Sequence, residues 1–124
     1  MTMKSLAFGL LFGVCAWTPA SAPVAQAPRV TVSVSNENWL DVNVYVMVGS
    51  ARYRLGSVVT AETRVFDLPG QAIASSQVRL VADPVGSRDV FVSDVLSVSD
   101  GDQIMLRVAN RLPQSSYAVE RTVD

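Results

Sequence analysis

Between Leu40 and Val48 every second residue is aliphatic: Leu40, Val42, Val44, Val46 and Val48 alternate with Asp41, Asn43, Tyr45 and Met47. Successive side chains of an extended chain point to opposite faces, so this stretch predicts a strand with one face in a core and the other near water. Valine suits such a surface because its branched Cβ is stiff and packs well on a pleat. The same period of two opens the domain, where Val30, Val32 and Val34 alternate with Thr31, Ser33 and Ser35 across Arg29–Ser35.

The pattern continues along the chain. Gly49-Ser50 predicts a tight hairpin turn, because glycine tolerates the positive φ that such turns need. A third strand is expected around Arg52–Leu55, with Tyr53 and Leu55 inward and Arg52 and Arg54 outward. Thr63–Leu68 predicts a fourth, carrying Phe66 and Leu68 inward, and Gln77–Ala82 a fifth through Val78 and Leu80. Asp83-Pro84-Val85-Gly86 has turn chemistry. Asp89–Val95 is expected as a sixth strand, with Val90 and Val92 or Phe91 and Val95 as rival inward sets. Asp100-Gly101 marks a turn before a seventh strand, Gln103–Ala109, with Ile104, Leu106 and Val108 inward. Leu112-Pro113 interrupts it, and Tyr117–Arg121 reads as a short last edge. No stretch shows a helical period.

Seven or eight short strands with regular turn signals predict an all-β, antiparallel two-sheet Greek-key sandwich, immunoglobulin-like or transthyretin-like. The tight Gly49-Ser50 turn argues against the simplest immunoglobulin layout, in which the second and third strands lie in different sheets. The pattern resembles that of small exported bacterial sandwich proteins. That resemblance covers the whole domain, rests on no diagnostic motif and brings no functional residue with it.

Ahead of this domain lies an export leader. Lys4 supplies a positive start and Leu6–Trp17 an apolar run too short to cross a bilayer, which takes about 20 residues. Residues 1–22 are expected to form a signal peptide, cut somewhere between 20 and 27, followed by an Ala/Pro-rich spacer at 23–28 and the sandwich at 29–124. Small residues at Ala20-Ser21-Ala22 and Ala25-Gln26-Ala27 offer cleavage sites, although Pro23 or Pro28 would follow the cut. Val14 before Cys15 is a poor lipobox, so a lipid anchor is not expected. The chain is thus read as periplasmic or extracellular.

Composition removes whole classes of chemistry. The chain of 124 residues has no histidine and one cysteine, Cys15, which sits in the leader. The domain therefore lacks the parts for a Cys/His zinc site, a Ser-His-Asp triad, a Cys-His pair or an internal disulfide. With Lys4 removed, nine arginines face eleven acids, a formal charge of −2, which gives no reason to expect nucleic acid. No polybasic tract suggests anionic lipid, so a membrane partner would require lipidation of Cys15. No cofactor is expected.

Three groups of residues remain as candidates. Trp39 in the first loop and Tyr45 on a polar strand face could stack on a sugar; a lone loop tryptophan more often plugs the end of a sandwich. Arg52 and Arg54, with Arg64 nearby, could grip a carboxylate or phosphate, or simply pair with Asp41 and Asp67 on a solvated face. Asp100 and Asp102, with Asp83, Asp89 and Asp94, are a weak calcium candidate, matched by no EF-hand spacing and better explained as turn residues. Carboxylates are the only catalytic apparatus left, and so small a sandwich rarely holds the deep cleft they need. The expectation is a non-catalytic binding or structural module whose partner is a protein, a glycan or a second copy through strand edges. The alternative is a small secreted inhibitor or hydrolase, with Asn36–Trp39 or Asp83–Arg88 as an inhibitory loop.

Overall fold

The computed structural model describes residues 27–121. The expected signal peptide at 1–22, Cys15 and most of the expected spacer at 23–28 lie outside the described residues. Nine strands form two packed sheets: β1 (Thr31–Asn36), β2 (Val42–Val48), β3 (Ala51–Val58), β4 (Thr63–Asp67), β5 (Gln77–Pro84), β6 (Phe91–Val92), β7 (Leu96–Ser97), β8 (Gln103–Val108) and β9 (Ser116–Glu120). The first sheet runs β4-β1-β8-β9; the second runs β3-β2-β5-β6, with β7 also on β5. The all-β sandwich expected from the valine alternation is what the chain forms.

The expectation of a wholly antiparallel arrangement needs correcting, because β1 and β8 pair in parallel from Thr31↔Gln103 to Asn36↔Val108. Parallel neighbours cannot be joined by a short hairpin. The entire middle of the chain separates these two, which removes that obstacle.

The inward faces are those the alternation predicts. Val30, Val32 and Val34 of one sheet meet Val42, Val44 and Val46 of the other, with Leu80, Ile104, Leu106 and Val108 completing a dry interior. Burying each of these side chains contributes about 1.5–3 kcal/mol relative to leaving it in water. Leu40 departs from the pattern: it sits in the loop before β2 and is exposed. Gly49, at φ 59°, opens the hairpin turn, and β2 pairs directly with β3 from Val48↔Ala51. The register then shifts, so that Tyr45 faces Arg54 while Val44 faces Gly56. Leu55 is the extra residue of this bulge. The glycine is required there, since a Cβ on Gly56 would lie 2.6 Å from the Phe66 ring.

Other departures have local causes. Asp83 and Pro84 finish β5, opposite Asn43 and Val42, and the turn falls on the two residues after them. Of the expected sixth strand, Asp89–Val95, only Phe91–Val92 forms a strand, β6, with the separate β7 following at Leu96–Ser97, and neither rival facing set is right: Phe91 packs against the core while Val90, Val92 and Val95 are exposed. Ser93 causes the break. Its N–H donates to the Leu80 carbonyl, and its buried hydroxyl accepts from the Leu80 N–H while donating to the Asp94 carbonyl. The Asp94 N–H is then taken by the Tyr117 hydroxyl, which donates in turn to the Asp94 carboxylate. The helix α1, Gly70–Ser75, was not expected; it is six residues long and buries only Ala72, too little to leave a period in the sequence.

Two substitutions test this account. Gly56→Ala is expected to cost about 1–3 kcal/mol by overpacking against Phe66. Ser93→Ala is expected to cost about 1–3 kcal/mol by leaving the buried Leu80 N–H without an acceptor. Urea unfolding checks both, and wild-type midpoints would contradict them.

Candidate functional site

The sequence candidates separate into two places. Trp39 stands at one pole of the sandwich, in the loop between β1 and β2. Tyr45, Arg52 and Arg54 lie together on the outer face of the second sheet, where the Arg52 guanidinium stacks 3.8 Å from the centre of the Tyr45 ring. Arg54 donates to the Asn43 amide oxygen at 3.1 Å and to the Ser57 hydroxyl at 2.7 Å. Arg64 is elsewhere, donating to the Ser57 carbonyl at 2.7 Å from the edge strand of the opposite sheet.

The expected pairing of these arginines with Asp41 and Asp67 does not occur. Asp67 is bound by Arg29 at 2.9 Å, and Asp41 accepts the Thr60 N–H. The hydrogen bond to Asp67, and then its charge, raises the proton affinity of the Arg29 guanidinium above its ordinary value. Glu37 does the same to Arg107 across a 2.7 Å contact. The aspartates are dispersed: Asp83 lies at the end of β5, Asp100 accepts the Arg29 N–H in the turn before β8, and the buried Asp102 accepts the Ser99 N–H. No group of three or more acidic or cysteine side chains that could hold a metal occurs among the described residues.

Trp39 does not plug the sandwich. It is 81% exposed. It stands over a cleft of about 1100 Å³ built from three loops: Asn38–Leu40, the segment from Pro84 to Val92, and Asn110–Gln114. The last of these contains a 3₁₀ turn, Leu112–Gln114, with Pro113 on the surface. Leu40, Val59, Val85 and Val90 are also exposed in loops of this pole. The cleft thus combines exposed apolar side chains with the polar groups of Asn110, Arg111, Gln114 and Asp89.

What holds Trp39 outward is a pair of buried asparagines, Asn36 and Asn38, which the sequence reading placed in a candidate inhibitory loop, Asn36–Trp39. Asn36, 1% exposed, donates through its amide to the carbonyls of Leu40 and Val58 and accepts the Asn38 N–H, each at 2.9 Å. Asn38 accepts the Leu40 N–H and donates to the carbonyls of Ala109 and Asn110. Its own carbonyl accepts the Thr60 hydroxyl, and the Asp41 carbonyl accepts the Val85 N–H. Every loop of the pole is thereby tied to the one that carries Trp39. The short Asn-x-Asn spacing was the available signal: an asparagine side chain can accept the N–H two residues on, as Asn36 does from Asn38 and Asn38 from Leu40.

No protein-family model matches the chain and no curated protein matches it; what distinguishes this surface is its own chemistry.

Asn36→Ala would strand the Leu40 and Val58 carbonyls and release the loop. A loss of about 2–3 kcal/mol is expected, together with a rise in Trp39 mobility. Unfolding curves and the time-resolved anisotropy of Trp39 in residues 27–124 report the two effects, and unchanged anisotropy would contradict the pinning role.

Proposed function

We propose that this chain is an exported, non-catalytic binding module that engages a protein partner through the pole around Trp39. The observation that carries this reading is a tryptophan left in water on a loop that buried hydrogen bonds hold rigid. Exposing a large apolar ring gains nothing for folding. Fixing it in place lowers the entropy lost when a partner covers it. Tryptophan and arginine are the side chains on which interface energy most often concentrates, and Arg111 lies on the same cleft. The aliphatic neighbours Leu40, Val85 and Val90 favour a protein over a glycan, which would ask for more hydrogen-bonding groups against the ring.

We read the strand order as a transthyretin-like Greek key, in which β4 returns beside β1 after the β2–β3 hairpin of the other sheet. Residues 1–22 fit a signal peptide, which would place the domain in the periplasm or outside the cell. A second reading, a small secreted inhibitor, is favoured by the same rigidity, since an inhibitory loop must resist rearrangement when its target closes on it. The charged residues of the cleft, Asp89 and Arg111, offer no carboxylate pair for hydrolysis.

Trp39→Ala is expected to leave stability within about 0.5 kcal/mol of wild type and to weaken partner binding about thirtyfold or more. A photo-crosslinking amino acid at position 39, with position 65 as control, identifies the partner in cells that export the protein. Discrete protein adducts from 39 alone support the reading, and an enzyme among them, inhibited by the purified domain, would favour the inhibitor. Equal adducts from both positions, or adducts that survive a Leu40→Asp change on the same surface, would overturn it.

A further inference from the structure

The β3 edge of the second sheet carries a separate set of features. In the two-residue hairpin, Val48 and Ala51 close the turn, and pairs along an antiparallel ladder alternate between bonded and non-bonded. Arg52, opposite Met47, and Arg54, opposite Tyr45, therefore turn their backbone N–H and C=O groups away from β2. Strand β3 is terminal in its sheet, so these groups face outward. The two arginine side chains lie on one face, about 6.7 Å apart along the strand.

Neither arginine has a carboxylate partner among the described residues; the ion pairs there are those of Arg29, Arg107 and Arg121. Instead each is held by a neutral group, Arg52 by the Tyr45 ring and Arg54 by Asn43 and Ser57. A groove of about 430 Å³ runs beside the edge, lined by Arg52, Arg54, Phe66, Asp67 and Pro69. Its one acid, Asp67, is already bound to Arg29.

Arginines on an edge strand usually guard against pairing. Here the guard is selective. A second copy added to this edge in any register that used both free positions would set arginine against arginine. A strand with carboxylates two residues apart would have the same 6.7 Å or so repeat, and would meet each guanidinium directly across the ladder.

We propose that the β3 edge receives an extended acidic segment of another protein as an added strand, its backbone bonded to Arg52 and Arg54 and its alternate carboxylates paired with their side chains. The fixed fork of a guanidinium gives such pairs directionality as well as charge.

The test uses the mature domain and a capped octapeptide of alternating threonine and glutamate, with fluorescence anisotropy as the readout. Saturable binding is expected, weakened about tenfold or more by Arg52→Glu with Arg54→Glu, by glutamine in place of glutamate, and by N-methylation of alternate peptide amides. A lysine-bearing peptide should bind the doubly substituted domain, a gain that misfolding cannot produce. Arg79→Glu, on β5 of the same face, should change binding less than twofold. Slowed hydrogen exchange at the Arg52 and Arg54 amides should accompany binding. Absence of binding at millimolar peptide would overturn the proposal, as would indifference to N-methylation, which would mean charge attraction without strand addition. Dimers through β3 seen by light scattering would also overturn it.

Discussion

Two sheets close over a shared interior when the inward positions of their long strands are predominantly apolar and shaped to meet their counterparts. Valine meets that condition along β1 and β2, where Val30, Val32 and Val34 face Val42, Val44 and Val46 with no exposure. A stiff side chain loses little rotamer freedom on burial, which suits a domain with limited area to bury. The consequence is an interior built mainly from short, branched side chains, with Leu80, Ile104 and Leu106 among the largest.

Strand existence and inward facing were legible wherever a segment had one buried face and one wet one. The readings of β1, β2, β4, β5 and β8 follow directly from alternation. The reading failed between Asp89 and Val95, and the reason is physical. Alternation assumes that backbone ladders supply every hydrogen bond, but there the Ser93 hydroxyl replaces a main-chain acceptor and lets the strand break. The parallel β1–β8 pair was invisible for a different reason: pairing direction depends on long-range topology, and alternation is the same in both senses.

The candidate site was legible as a residue and misjudged as an environment. Trp39 stood out at once, yet its preferred role as a plug assumed that an apolar ring goes where apolar rings are stable. The deciding groups were Asn36 and Asn38, polar residues that the chain buries while leaving the tryptophan outside. Their side-chain amides tie the Trp39 loop to the end of β3 and to the Ala109–Asn110 segment. Arg52 and Arg54 were correctly placed on the outward face, but the acids assumed to neutralise them are engaged elsewhere.

The arrangement of the chain ends gives the two surfaces different mechanical roles. Thr31 and Glu120 both pair with Gln103, so the described chain enters and leaves at one pole. Asn36, at the far end of β1, marks the other, and six residues of strand separate them by about 20 Å. A partner proposed for Trp39 would therefore dock at the pole opposite the ends of the described chain. The β3 edge runs along the flank between the two poles, and a strand added there would lie roughly parallel to the long axis. On the two proposed readings, occupying one surface would leave the other open.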